Sequence, residues 1–288
     1  MIFSLLQNST PLLISFIFLT GLMVGSFLNV VIYRLPVMMQ YKWRQECQQF
    51  LNLPVEENTE TFNLLLPRSR CPACKSLITA TQNIPVISYV FLRGKCGNCG
   101  IAISPRYPLI EALTGVCSAI IAWRFGYSAA MLFALLLTWC LIALSFIDID
   151  QQLLPDSITL PLVWLGLGLS LWNVYTDCQT SIIGAITGYL SLWSVYKLFK
   201  LVTGKEGMGY GDFKLLALFG AWLGWQYLPL IILLSSLVGA IIGISMIILK
   251  RQDASKPIPF GPYLATAGWL ALIWGNDINH LYLQATGF

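Results

Sequence analysis

Eight long apolar segments, almost free of charged side chains, constrain the fold of this chain more than any other feature. Several of them approach the ~20 residues that an α-helix needs to cross a bilayer. Only 10% of all residues are charged, against about 25% in soluble domains. The sequence therefore predicts an all-α polytopic membrane protein, with about eight transmembrane helices near 12–33, 108–126, 128–147, 158–175, 181–202, 213–226, 228–249 and 260–275.

The first apolar segment is predicted to be an uncleaved membrane helix. Residues 1–11 contain no Lys or Arg, so the basic region that opens a cleavable signal peptide is missing. The helices at 213–226 and 260–275 are short for a full span, and we expect them to be tilted or partly re-entrant.

The distribution of basic residues predicts the orientation. If both termini face away from the cytoplasm, all 17 Lys and Arg residues except Arg124 lie on or near the cytoplasmic side. The positive-inside rule favours this arrangement. The chain then divides into a first transmembrane helix at 1–33, a cytoplasmic loop domain at 34–107 and a membrane domain at 108–288.

The loop domain carries two CxxC motifs separated by 21 residues. Such knuckles suit tetrahedral coordination of zinc by thiolates. Disulfide bonds are the alternative, but a reducing cytoplasm disfavours them, and a thioredoxin-like redox site would need a βαβ context that is absent. We predict a structural zinc site at Cys71, Cys74, Cys96 and Cys99.

The loop domain is also basic, with nine basic and four acidic residues and a net charge of +5. This charge suits a position beside anionic lipid headgroups, so membrane lipid rather than nucleic acid is the predicted partner. The mixed pattern from Met38 to Trp43 predicts a short amphipathic helix on the membrane surface.

A single histidine, His280, limits the kinds of catalysis open to the chain. It excludes the HExxH zinc proteases and argues against Ser-His and Cys-His nucleophiles. If the chain is a hydrolase, carboxylates must be its catalytic groups. A charged carboxylate at a membrane boundary costs free energy, so an acidic residue there indicates a function. The acidic residues at such boundaries are Asp148, Asp150, Asp156 and Asp212.

Two aspartates brought close in a site of low dielectric constant cannot both ionise easily, so one stays protonated. The pair then supplies a base for water and an acid for the departing amine. Asp148 is still attached to an apolar helix, whereas Asp150 faces the opposite side if that helix continues. Asp156 has the features of an N-cap. We predict that Asp148 and Asp212 are catalytic; the alternative for Asp212 is an N-cap after a glycine-rich turn.

The motifs of the chain, taken in order, resemble those of the type IV prepilin peptidases, a family of GxGD membrane aspartic proteases. Gly209-Tyr210-Gly211-Asp212 is the GxGD motif. The segments Gly25–Pro36 and Ile147–Asp156, together with the two CxxC pairs, match three further family segments. The resemblance covers nearly the whole chain and implies that Asp148 and Asp212 occupy the catalytic positions.

The resemblance also implies an activity that the residues alone do not reveal. Family members remove the short basic leader from prepilins and type II secretion pseudopilins at the cytoplasmic face of the bacterial inner membrane. Many then methylate the new N-terminal residue with S-adenosylmethionine, and members with the cysteine loop are usually bifunctional. The methyl-donor site is not identified: Arg93-Gly94-Lys95 is a weak candidate, and support of the second knuckle is the alternative.

Three other features admit two interpretations. Glu111 and Asn29 lie inside predicted helices, where they line a substrate path or hydrogen-bond between helices. The segment Pro257–Pro262 terminates a helix or offers extended backbone to a substrate strand.

Two functions from other classes remain open. The Gly-Tyr-Gly-Asp segment also resembles a potassium selectivity filter, but such filters carry Thr-Val before Gly-Tyr-Gly and lie on the extracytoplasmic side. This chain has Gly207-Met208 there. The other alternative is a zinc-knuckle assembly factor whose aspartates only cap helices. Cleavage of a prepilin peptide by the purified protein separates both from a protease.

Overall fold

The computed structural model describes residues 6–54, 62–79, 81–248 and 259–286, and the predicted all-α class is confirmed. Within these ranges there is no β-strand, only two isolated bridges in the cysteine loop. Two 3₁₀ turns lie at Thr81–Asn83 and Trp225–Tyr227. The helices are α1 (Thr10–Phe50), α2 (Ile87–Phe91), α3 (Arg106–Phe125), α4 (Ala129–Gln151), α5 (Asp156–Ser170), α6 (Cys178–Thr203), α7 (Tyr210–Leu223), α8 (Leu228–Ile248) and α9 (Gly261–Thr286).

Five helical segments of the described chain are long and apolar enough to cross a membrane. These are α1, α3, α4, α6 and Trp225–Met246, which contains most of α8. Helices α5 and α7 are shorter, at 15 and 14 residues. The chain is a multi-pass membrane protein, and a total of eight spans stays a prediction.

Helix α1 runs for 41 residues, which corrects the prediction of a separate amphipathic helix beyond residue 33. Pro36 lies inside α1 without ending it. The residues that follow Pro36 are mostly good helix formers, including Met, Gln, Lys, Arg and Glu. Lys42 and Glu46 add an ion pair one turn apart, at 3.8 Å. Local propensity therefore outweighs the proline.

The chain forms two compact units, Met1–Ala143 and Leu144–Phe288. In the first unit, α1 and α3 pack so closely that a Cβ on Gly21 would lie 2.6 Å from Ser118 Oγ. Small residues permit this approach between membrane helices. The predicted domain boundaries at residues 33 and 107 lie at expected ends of membrane helices and do not coincide with the boundary between these units. The predicted division into domains stays a prediction.

Arg34, a residue of α1, binds the loop that follows this helix. This side chain is 8% exposed, and it donates to the carbonyl oxygens of Asn63 at 2.9 Å and Pro67 at 2.6 Å. A buried guanidinium must be paired to offset its lost hydration, so Arg34 fixes the start of the cysteine loop against α1.

In the second unit, α7 is enclosed by its neighbours. From Asp212 to Leu223 every residue except Lys214 is buried. The backbones of Gly184 in α6 and Gly220 in α7 meet directly, which is possible only where neither residue has a side chain.

Two large side chains hold α7 against α5 and α9. The indole N–H of Trp222 donates to the carbonyl oxygen of Leu162 in α5 at 2.8 Å. The ring of Phe219 packs against Gly268 in α9. The helix that carries Asp212 is therefore fixed by contacts with three other helices.

Candidate active site and metal centre

Asp148 lies in the last turn of α4 and is 6% exposed. Because the helix continues to Gln151, Asp150 lies on its other side and is exposed. Asp148 is therefore the desolvated residue of the two, as the sequence predicts. Its Oδ2 accepts a hydrogen bond from the backbone N–H of Gly261, the first residue of α9, at 3.0 Å.

Asp212 is the third residue of α7 and is 7% exposed. Helix α7 begins at Tyr210 with Gly209 as its N-cap, so the interpretation of Asp212 as an N-cap is wrong. The Asp212 amide donates to the carbonyl oxygen of Gly209 at 3.3 Å. An acid in the first turn suits the unpaired N–H groups at the start of a helix.

The two buried carboxyls lie within electrostatic reach of each other, since the charge of Asp148 acts directly on Asp212. Leu154 packs between the segments that hold them. A Cβ on Gly211 would lie 2.8 Å from Leu154 Cβ, and one on Gly261 would lie 3.2 Å from Leu154 Cδ2. The end of α4, the start of α7 and the start of α9 therefore meet around one leucine, and the two predicted aspartates come together there.

Asp156 forms an ion pair rather than a cap. Its two carboxyl oxygens each lie 2.7 Å from Lys214 Nζ. Asp156 is the first residue of α5, and Pro155 precedes it as the N-cap without a side-chain capping bond. The N-cap interpretation of Asp156 is therefore wrong, because Pro155 occupies the N-cap position.

Gly261 is the site residue that the sequence interpretation missed. Pro257 and Ile258 lie outside the described residues, and α9 begins directly after Phe260. A glycine at a helix start, where nothing requires a positive φ, marks close approach of another group. The glycine at this position could therefore have indicated a close contact, but the sequence does not say which group makes it.

The four cysteines of the CxxC motifs form one cluster, with all sulfur atoms within 4.8 Å of one another. Tetrahedral zinc with Zn–S bonds of about 2.3 Å requires sulfur atoms about 3.8 Å apart. Cys71 Sγ and Cys99 Sγ are 3.8 Å apart, and none of the four thiols is in a disulfide. The two knuckles have the same turn. The backbone N–H of Lys75 donates to the Cys71 carbonyl oxygen, and the backbone N–H of Gly100 donates to the Cys96 carbonyl oxygen. The cluster fits a tetrahedral metal ion.

The polar groups around the sulfur atoms prepare them unequally for metal binding. The hydroxyl and the amide of Ser76 lower the pKa of Cys74 to about 5. The Ile101 amide also favours a thiolate at Cys99, but desolvation and the neighbouring sulfurs raise the pKa of that thiol to about 11. Thiolates so close together repel, and a bound cation offsets that repulsion.

The turn at Arg93-Gly94-Lys95 supports the second knuckle. Gly94 has a φ of 69°, and a Cβ there would lie 2.9 Å from Tyr89 Oη. The Gly94 carbonyl accepts the Ile103 amide at 2.7 Å. The backbone of Gly94 is therefore held within the second knuckle, as the structural interpretation predicts.

Asn29 and Glu111 hydrogen-bond within the first unit. Asn29 Nδ2 donates to the carbonyl oxygen of Tyr107 at 3.3 Å, which joins α1 to the start of α3. The Glu111 carboxylate accepts the Val86 amide at 2.7 Å. Both residues therefore connect α1, α3 and the loop domain, as one of their two interpretations predicts.

Two family models match the chain in succession. The model described as "Bacterial Peptidase A24 N-terminal domain" matches residues 19–125. The model described as "Type IV leader peptidase family" matches residues 135–244, which include Asp148 and Asp212.

Relatives of known name match nearly the whole chain. A "Prepilin leader peptidase/N-methyltransferase" from Stutzerimonas stutzeri is 58% identical over 92% of this chain and 91% of its own length. Proteins of the same name from Pseudomonas aeruginosa and Legionella pneumophila are 56% and 46% identical, over 94% and 92% of this chain and 93% and 92% of their own lengths. No solved structure matches the chain.

Proposed function

Because this chain belongs to the type IV leader peptidase family, we propose that it cleaves leaders from type IV prepilins and pseudopilins with Asp148 and Asp212. It is a membrane protease and an N-methyltransferase, as are its relatives in name. One observation supports the assignment of the two residues above all others. Both carboxyls are buried within electrostatic reach of each other, and the Asp148 carboxyl accepts the N–H of Gly261.

The geometry suits an acid–base reaction on a bound water. One carboxylate takes a proton as the water oxygen attacks the scissile carbonyl carbon, and the tetrahedral intermediate forms. The other carboxyl, in its acid form, gives its proton to the amide nitrogen as the carbon–nitrogen bond breaks. The proton balance is closed, because the pair begins and ends with one proton. Burial strengthens every electrostatic interaction in this step.

We assign a structural zinc ion to Cys71, Cys74, Cys96 and Cys99. Four protein ligands complete a tetrahedral shell and leave no position for water or substrate, so the ion holds the loop together. S-adenosylmethionine is the proposed methyl donor; when bound, it supplies an electrophilic methyl group to the amine that cleavage exposes. We assign no residue to its binding.

The other classes of function are not favoured. In a potassium filter, the Gly-Tyr-Gly carbonyls line an extended strand around the ion. Here Tyr210 and Gly211 lie in the first turn of α7, and Asp212 is buried within the second unit. A zinc-knuckle assembly factor without catalysis has no need of two buried carboxyls side by side.

A peptide assay tests the proposed function. The purified chain in detergent is expected to cut a peptide that spans the leader junction of a prepilin, and to add one methyl group to the new N-terminus when S-adenosylmethionine is present. Mass spectrometry measures both products. If folded, metal-loaded protein leaves the peptide intact, the protease proposal is rejected.

We propose that the chain lies in the bacterial inner membrane, surrounded by lipid, with both termini on the periplasmic side. The distribution of Lys and Arg supports this orientation, because all but Arg124 then lie on or near the cytoplasmic side. The loop domain supports it further, because residues 62–107 contain six basic residues and no acidic one, which suits an anionic leaflet.

Reporter fusions check this orientation. Fusions after Arg93, Gly204 and Lys256 are expected to report the cytoplasm, and fusions after Tyr127 and Cys178 the periplasm. The fusion after Gly204 is the decisive one. A periplasmic signal there would contradict the orientation, because it would put the start of α7 on the wrong side of the membrane.

A further inference from the structure

Helix α9 begins at the carboxyl of Asp148. Its first residue, Gly261, donates its N–H to Asp148 Oδ2 at 3.0 Å, although 113 residues separate the two in sequence. The first N–H groups of an α-helix have no partner within the helix. This one is satisfied by a carboxyl that the proposed reaction uses.

Space, rather than backbone conformation, requires glycine at position 261. A Cβ there would lie 2.7 Å from Asp148 Oδ2 and 3.2 Å from Asp148 Cγ. Favourable contacts between non-bonded heavy atoms begin at about 3.5 Å. Any larger residue must therefore displace the carboxyl or the start of α9.

Leu154 extends the same constraint to α7. Its Cδ2 would lie 3.2 Å from a Cβ on Gly261, and its Cβ would lie 2.8 Å from a Cβ on Gly211. Leu154 itself is 9% exposed, so it has little room to move away. A shift at the start of α9 is therefore passed on, through Leu154, to the first turn of α7 and to Asp212.

We propose that Gly261 is a positioning residue for the cleavage reaction, its backbone N–H holding one oxygen of Asp148 so that the other is left to act on the attacking water. This inference rests on the proposed function. The bond to Asp148 also makes the Gly261 N–H unavailable for pairing with a substrate strand.

Gly261→Ala tests the space at this position. The added methyl group is expected to lower kcat for cleavage at least tenfold and to leave KM within about twofold, because the displaced group is a carboxyl and not the substrate. Gly168→Ala is the matched control, since no atom lies within 4 Å of a Cβ at that α5 glycine, and it is expected to cleave normally. Methylation of an already processed pilin peptide measures whether each variant is folded.

An amide-to-ester replacement tests the hydrogen bond itself. Glycolic acid incorporated at position 261 replaces the N–H by an ester oxygen of similar size, so the hydrogen bond to Asp148 is lost without the addition of a side chain. Hydrogen bonds to charged groups are among the strong ones, and losing this bond is expected to lower kcat about tenfold to a hundredfold. The ester also replaces Gly261→Ala as the test if that variant fails to fold.

Two outcomes overturn the inference. Normal kcat in the ester variant shows that the N–H does not position Asp148. A raised KM with unchanged kcat shows that Gly261 contacts the substrate. Both outcomes can be measured only if the unmodified protein cleaves the peptide, so neither contradicts the proposed function. If the proposed function itself is wrong, the unmodified protein is inactive.

Discussion

Asp148→Asn and Asp212→Asn are each expected to abolish cleavage of a prepilin peptide, with kcat/KM falling roughly a thousandfold or more. Asparagine keeps the shape of the side chain but can neither take the proton of water nor give one to the amine. The two carboxyls act as a unit, so the double variant is expected to be no worse than either single variant. Initial rates on the junction peptide measure all three.

Asp150→Asn and Asp156→Asn are the matched controls, because both positions carry the same chemistry beside the pair. Asp150 is exposed, and Asp156 forms an ion pair with Lys214 in which 53% of the Asp156 side chain is exposed. Exposed ion pairs contribute little stability, so both variants are expected to retain clear activity. All four proteins must insert at normal levels. Robust cleavage by Asp148→Asn together with an inactive Asp150→Asn would contradict the assignment of Asp148.

Replacing any one cysteine of the cluster by Ser is expected to lower the zinc content from about one ion per chain to almost none. Structural zinc sites contribute about 10–16 kcal/mol when all ligands are present, and a hydroxyl does not substitute for a thiolate. Elemental analysis of the purified protein measures the metal, and limited proteolysis within residues 62–107 measures the loosened loop. Peptide cleavage is expected to survive, because the aspartates lie on other elements.

Cys117→Ser is the control for that experiment, since Cys117 lies in α3 outside the cluster. It is expected to keep its metal. The zinc assignment fails if the unmodified protein contains none, or if Cys71 and Cys74 form a stable disulfide in cells.

The elements that the sequence predicted best are those where one local pattern decides the outcome. Long apolar segments predicted the helices, and two CxxC motifs predicted the cysteine cluster. The choice of Asp148 over Asp150 as the buried residue also followed from helix geometry, because residues two apart face different sides.

The errors arose where two local signals compete or where a distant contact decides. Asp212 and Asp156 both have the chemistry of an N-cap, but Gly209 and Pro155 occupy those positions. Lys214, the partner of Asp156, lies 58 residues away in sequence, so no capping preference could indicate it. The contact between Asp148 and Gly261 joins residues far apart in sequence, so no local pattern could indicate it.

The short length of α7 has a consequence for how this protein adapts to its bilayer. Fourteen residues span about 21 Å at 1.5 Å per residue, against a hydrocarbon thickness of about 30 Å. A lipid-facing helix of that length would thin the surrounding membrane or associate with other helices. Because α7 is enclosed by protein, hydrophobic mismatch does not act on it. The difference of about 9 Å therefore places no demand on the thickness of the bilayer around the protein.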